Sequence, residues 1–219
     1  MNKYFTFLGP IAAGKGTQAK LVAQKYGFTH ISTGEGFRDE VARGTEVGRL
    51  IENDMASGLL IADDITNELL KRLLAKIDIK KGFILDGYPR NRAQAEFLDQ
   101  LLPAMGVKLD RAVLLHLEEA EIVRRISGRF ACTNCGAVYN EFSNSTKVAG
   151  VCDKCGGREF GRRADDREEL VKVRLGQYRD AIGPILDYYR PRGLLSEIDA
   201  SAGDMAATLR EIEKVVENG

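Results

Sequence analysis

The stretch that most constrains this chain is residues 9–17, Gly9-Pro10-Ile11-Ala12-Ala13-Gly14-Lys15-Gly16-Thr17, which follows the apolar run Tyr4-Phe5-Thr6-Phe7-Leu8. An apolar run stopped by glycine reads as a buried strand feeding a tight turn. Glycines let main-chain N–H groups turn inward, the next helix presents its positive dipole end, and Lys15 adds a mobile cation. Together these make a phosphate-binding loop, with Thr17 placed to offer its hydroxyl to a magnesium ion. A glycine-rich turn with no ligand is disfavoured because strand, spacing, lysine and helix all agree. In the general pattern Ser or Thr directly follows the lysine, whereas here Gly16 intervenes.

A chain of 219 residues buries a full core as one main domain with small insertions. Its 32 basic and 32 acidic residues cancel, so no bulk charge recruits nucleic acid or a membrane, and any basic site is a local cluster. The expected partner is small. There is no run of 18 apolar residues, and Tyr4 to Leu8 is too short for a signal peptide, so a soluble cytoplasmic protein is expected. In that reducing compartment paired cysteines bind metal or do redox chemistry more often than they form disulfides.

The rest of the chain alternates. Helical periodicity is read at about 16–25, 34–42, 45–57, 62–77, 91–102, 119–128, 170–189 and 204–216, with buried strands near 28–31, 82–86, 111–117 and 194–198. Ser32-Thr33 supplies a helix N-cap. Such alternation predicts an α/β protein with a parallel sheet in three layers. The strand Phe83-Ile84-Leu85-Asp86 ends in a carboxylate and a turn carrying Gly87, Tyr88, Pro89 and Arg90, at the strand end where such folds bind ligands. Asp86 is suited to orient magnesium through water, and Arg90 to clamp a phosphate. Arg124, Arg125 and Arg129 crowd a helix end and suggest anion binding beyond complementing its dipole. Arg163, Asp165, Asp166 and Arg174 fit either phosphate contacts and a closing lid or a solvated salt-bridged face. His30 reads as packed or surface, and Leu59, Leu60 and Ile61 as core or a surface for a flat base.

Cys132-Thr133-Asn134-Cys135 and Cys152-Asp153-Lys154-Cys155 are two Cys-x-x-Cys knuckles separated by 16 residues. Four thiolates at this spacing close a tetrahedron around Zn²⁺, leaving no open ligand position, so the site is expected to be structural. Fe²⁺ or Co²⁺ in the same cage stays open on ligand type. The intervening segment carries too little apolar surface to fold without the staple.

Taken together, residues 9–17 with Gln18, Ile31-Ser32-Thr33-Gly34 with Arg38, Leu85-Asp86-Gly87-Tyr88-Pro89-Arg90 with Gln94, residues 125–129, the knuckles, and Arg163-Ala164-Asp165-Asp166 with Arg174 resemble the bacterial adenylate kinases with a zinc-type lid. The resemblance covers nearly the whole chain. It implies a P-loop nucleoside monophosphate kinase fold with a core (1–31, 62–128, 166–219), a mobile AMP-binding segment (32–61) and a zinc-bearing lid (129–165). It also implies a monomer that catalyses ATP + AMP = 2 ADP with magnesium. By resemblance, Ala12, Ala13, Gly14, Lys15, Gly16 and Thr17 surround the ATP phosphates, with Arg125, Arg129, Val138, Tyr139 and Ala202 also on the ATP side. Thr33, Gly34, Arg38, Leu59, Leu60, Ile61, Gly87, Tyr88, Pro89, Arg90 and Gln94 hold AMP, joined by Arg163 and Arg174. The catalytic set is Lys15, Arg90, Arg125, Arg129, Arg163, Arg174, Asp165 and Asp166.

Three departures stand out. Ala12 replaces a usual glycine, a cost of about 1 kcal/mol if positive φ is needed. Gly36 sits inside a helix where methionine is usual, which predicts a mobile AMP segment. Ser143-Asn144-Ser145-Thr146 replaces paired prolines, and residues 155–163 run one longer. A kinase for UMP, CMP or GMP shares the scaffold, but Thr33 and Gln94 stand where the adenylate branch reads adenine. A zinc-ribbon binding module is opposed by neutral charge and by the complete phosphate site.

Overall fold

The computed structural model describes residues 1, 3–162, 166–201 and 205–218. Among them the chain runs β1 (Tyr4–Leu8), α1 (Lys15–Tyr26), β2 (Thr29–Ser32), α2 (Thr33–Ala42), α3 (Glu46–Ala56), α4 (Asp63–Leu74), β3 (Phe83–Asp86), α5 (Arg92–Ala104), β4 (Arg111–His116) and α6 (Glu119–Ser127). Three short strands follow, β5 (Arg129–Cys132), β6 (Val138–Asn140) and β7 (Phe160–Gly161), then α7 (Glu168–Tyr189), β8 (Leu195–Asp199) and α8 (Met205–Glu217). The expected α/β architecture is present, a five-stranded parallel sheet in the order β2-β3-β1-β4-β8.

Period-two alternation builds its three layers. Phe5, Phe7, Ile84, Val113 and Leu115 face one core cluster with Ala19 and Val22 of α1, Ile122 of α6 and Ile212 of α8. Leu8, Phe83, Leu85, Ala112 and Leu114 face the other, with Leu70 of α4 and Leu98 and Leu102 of α5. Helix α7 belongs to both, through Val171 and Leu175 at one end and Ile185 and Tyr189 at the other. Its middle therefore crosses between the two layers.

Two smaller units stand outside this core. Phe37 of α2, Ile51 of α3, Ile61 and Leu69 of α4 form a separate cluster. Gly36 lies on that contact: a Cβ there would sit 3.2 Å from Leu69 Cδ2 and 3.4 Å from Leu73 Cδ1, so the glycine lets α2 approach α4 closely. The second unit is the antiparallel sheet β6-β5-β7, whose buried residues are Cys132, Tyr139 and Cys152. No helix among the described residues is long and apolar enough to cross a membrane.

Candidate active site and metal centre

The loop after β1 is shaped by its glycines and by one strained alanine. Gly9 has φ 139°, and a Cβ there would fall 2.5 Å from the Leu115 carbonyl oxygen, so no other residue lets the loop leave the strand so close to β4. Gly14, at φ 85°, caps α1 with no side-chain hydrogen bond, which leaves the first N–H groups of the helix turned toward an incoming anion. Ala12 sits at φ 61°, in the left-handed region that costs a non-glycine residue about 1 kcal/mol. The departure noted in the sequence thus falls on a position that does need positive φ. Gly16, between lysine and threonine, has its own reason: a Cβ there would lie 2.9 Å from Asp86 Oδ2.

The loop opens on a cleft of about 910 Å³. Lys15 and five arginines, Arg38, Arg90, Arg125, Arg129 and Arg174, line it together with Asp86 and Thr17. Lys15 is folded back on its own loop, its Nζ donating to Gly9 O at 2.8 Å and Pro10 O at 2.7 Å. Burial pulls its pKa down to about 8; Asp86 opposes that shift, while Arg90, Arg174 and Arg129 reinforce it. Burial pushes the Asp86 carboxyl up, but His30, Lys15 and Arg90 together outweigh it and the net shift is downward. His30 is packed, as expected, with Nε2 3.5 Å from Asp86 Oδ2.

Arg125 ties three elements together. Its Nε donates to Glu121 at 2.8 Å, one terminal nitrogen donates to the Ala200 carbonyl at 2.6 Å, and the other lies 3.5 Å from the Ala12 carbonyl. Arg129 holds Asp166 with both ends of its fork, Nε donating to Oδ2 at 2.8 Å. That pair joins the start of the small sheet to the entrance of α7.

On the other side of the cleft Ser32 caps α2, accepting from Glu35 N at 3.3 Å. Gly34, Leu60, Gly87 and Pro89 line the cleft, whereas Ile61 is core and Leu59 is exposed. Thr33 is buried and donates to Gly87 O at 3.0 Å. Tyr88 is fully buried, its hydroxyl donating to Asn67 Oδ1 at 2.7 Å. Gln94 is buried too: Oε1 accepts from Arg90 N at 2.7 Å and Nε2 donates to Asp63 Oδ1 at 2.6 Å, which orients the amide. Arg163, Asp165 and Ala202 lie outside the described residues. Gln177 and Ala181 of α7 line the cleft beside Arg174, as does Tyr178, which helical spacing alone groups with the apolar face of that helix. Their spacing from Arg174, i+3, i+4 and i+7, was the available signal.

The four cysteine sulfurs lie within 4.8 Å of one another, with Cys132 to Cys155 at 3.6 Å and Cys135 to Cys152 at 3.5 Å. All four are free thiols. A tetrahedron of sulfurs about 2.3 Å from a central zinc has edges of about 3.8 Å, so the donor set fits the metal. The Tyr139 hydroxyl, together with the Lys154 and Cys155 amides, draws the Cys152 thiol down to about 6 against the opposing effect of burial. Val138 and Tyr139 both line the cleft, but the Tyr139 ring is packed against Phe130 and Phe160 in the small core.

A family model described as "Adenylate kinase" matches residues 7–194. The chain is 44% identical over 211 residues to the adenylate kinase of Archaeoglobus fulgidus, covering 96% of each chain. It is 44% identical to that of Thermosipho melanesiensis over 96% of this chain and 97% of the relative. Its identity to that of Anaeromyxobacter sp. Fw109-5 is 47%, over 93% and 96%. The chain belongs to the adenylate kinase family. The sheet order and phosphate loop described above are the P-loop nucleoside monophosphate kinase fold of that family, and the four nearby cysteines agree with its zinc-lid type.

Proposed function

We infer that this chain is an adenylate kinase, a phosphotransferase that moves the terminal phosphoryl of ATP to AMP, reversibly, giving two ADP. The observation that carries this is the convergence of Lys15 and five arginines on a cleft that begins at the main-chain amides of the phosphate loop. Two polyanions brought tail to tail need charge neutralised and atoms aligned more than they need a protein nucleophile.

On this reading Ala12 to Thr17 cradle the ATP phosphates. Lys15 exchanges the Gly9 and Pro10 carbonyls for the donor and transferred phosphoryl groups, and Arg125 and Arg129 hold ATP from the lid side. Because the Tyr139 ring is buried, the Val138 and Tyr139 contribution to ATP is ascribed to backbone. Arg38, Arg90 and the backbone around Gly34, Leu60 and Gly87 hold AMP, with Thr33 and the oriented amide of Gln94 reading adenine. Arg174, with Arg163, meets phosphates from above. Family members use magnesium with ATP; when bound, the ion supplies further neutralisation of phosphate charge. Asp86, held ionised and beside Lys15, and the Thr17 hydroxyl are the residues suited to hold it, Asp86 through water.

We assign residues 32–61 and 129–165 as segments that close over the substrates, excluding water as a competing acceptor. Cys132, Cys135, Cys152 and Cys155 would hold a structural zinc, since four thiolates leave no position for substrate. A cytoplasmic monomer without nucleic-acid or membrane partners fits the neutral charge. The test is an acceptor panel of AMP, GMP, UMP and CMP with ATP and magnesium: AMP is expected to be preferred, and preference for a pyrimidine nucleotide overturns the adenine assignment.

A further inference from the structure

Strand β6 has two faces with different work. Val138 and Tyr139 line the nucleotide cleft, while the Tyr139 ring turns inward and is 5% exposed. Its ring centroid lies 5.6 Å from that of Phe130 and 5.9 Å from that of Phe160. The hydroxyl at its tip accepts a hydrogen bond from Asp153 N at 2.8 Å and stands 3.3 Å from Cys152 Sγ. A phenol has a single proton, and a cysteine that ligates a metal has none. With the Asp153 amide already donating to the oxygen, the hydrogen between oxygen and sulfur then belongs to the phenol.

We propose that Tyr139 is an outer-sphere positioning residue of the metal centre, whose O–H···S bond orients the Cys152 thiolate and ties the cleft-facing strand to the second knuckle. The inference rests on reading the four cysteines as a metal site. The backbone amides of Lys154 and Cys155 also donate to Cys152, but they belong to the knuckle itself. Tyr139 reaches the sulfur from a different strand, so it carries geometric information that the knuckle does not supply. Outer-sphere partners of this kind commonly change metal affinity by about 10–100-fold when removed.

Tyr139→Phe keeps the ring and deletes the donor; Phe160→Leu trims the same small core without removing a hydrogen-bond donor to a sulfur and serves as the packing control. The intact chain and both variants are loaded with Co²⁺, the thiolate-to-cobalt charge-transfer band is recorded, and metal release to a chromogenic chelator is timed. A hydrogen bond lowers the energy of the sulfur lone pair, so Tyr139→Phe should move the band to longer wavelength. It should also release metal about 10–100-fold faster, well beyond any acceleration in Phe160→Leu. An unshifted band, or release no faster than in Phe160→Leu, overturns the proposal. Absence of any thiolate band in the unaltered chain instead overturns the metal-site reading beneath it.

Discussion

The phosphate loop and the cysteine knuckles line one cleft and differ in how much buried core stands behind them. The loop inherits its rigidity from a core in which Phe5, Phe7, Phe83, Leu70 and Leu98 are almost fully buried, each worth about 1.5–3 kcal/mol of transfer free energy. It can therefore carry a strained Ala12 and a buried cation. The small sheet has Cys132, Tyr139 and Cys152 as its buried residues, with Phe130 and Phe160 partly covered. That is little to set against a backbone entropy cost of about 1–2 kcal/mol per residue, and on the proposed reading of the four cysteines as a metal site the ion would offset the rest. The phosphate loop is thus stabilised by burial, while the small sheet depends on a four-sulfur cluster whose donor set fits a metal.

The largest expected effect breaks the two regions apart. Stripping the metal with a strong chelator should open protease sites within residues 129–162 while the thermal midpoint of the remaining core stays in place. Unchanged lid proteolysis after chelation would contradict the contrast. Next, Lys15→Met should lower kcat by about 10²–10³-fold, the scale of losing one preorganised charge at the reacting group. Because Lys15 is a desolvated cation in the free protein, the same variant should melt no lower than the unaltered chain. A variant that melts earlier while keeping its kcat would reverse that assignment of roles.

A smaller effect follows from the sign of the Lys15 shift. Its pKa is lowered from 10.5 to about 8, so the folded protein pays for keeping it charged below that pH and is relieved as pH rises from about 8 toward 10.5. Phosphate binding demands the opposite, the protonated form. Nucleotide affinity should therefore fall as pH rises above about 8, by up to about tenfold per unit, with proton uptake visible when titrations are repeated in buffers of different ionisation enthalpy. Flat affinity from about pH 7 to about pH 10 would exclude this linkage. The smallest effect is at Ala12. Ala12→Gly relieves the φ 61° strain and should stabilise the chain by less than about 1 kcal/mol in denaturant titration.

Much of this architecture was readable residue by residue. The helices expected at 45–57 and 62–77 appear as α3 and α4 with ends shifted by only a few residues, because apolar positions recur on one face of each. The knuckle spacing pointed to a four-sulfur cluster, and the sulfurs do converge. What escaped were side chains whose role depends on a second element. Tyr178 shares helical spacing with the core residues of α7, yet it lines the cleft, because α7 passes from one core layer to the other with its middle over the site. Tyr139 reads from the sequence as a lid residue beside nucleotide, and that its ring also turns onto Cys152 emerges only once β6 pairs with β5. Gly36 reads as a weak point in a helix, and its space is filled by Leu69 and Leu73.

Local chemistry was enough to specify the phosphate loop, the capped helix starts, the two-sided strands and the four-thiolate cage. Each depends on neighbours a few residues away or on a short repeat. The meeting of Arg38, Arg90, Arg125, Arg129 and Arg174 depends instead on the strand order β2-β3-β1-β4-β8. Crossovers decide which strand ends lie side by side, and Arg125 reaches the Ala12 carbonyl across 113 positions of chain. Such contacts exist only once the sheet is assembled, because no periodicity along the chain encodes which distant residue will stand opposite.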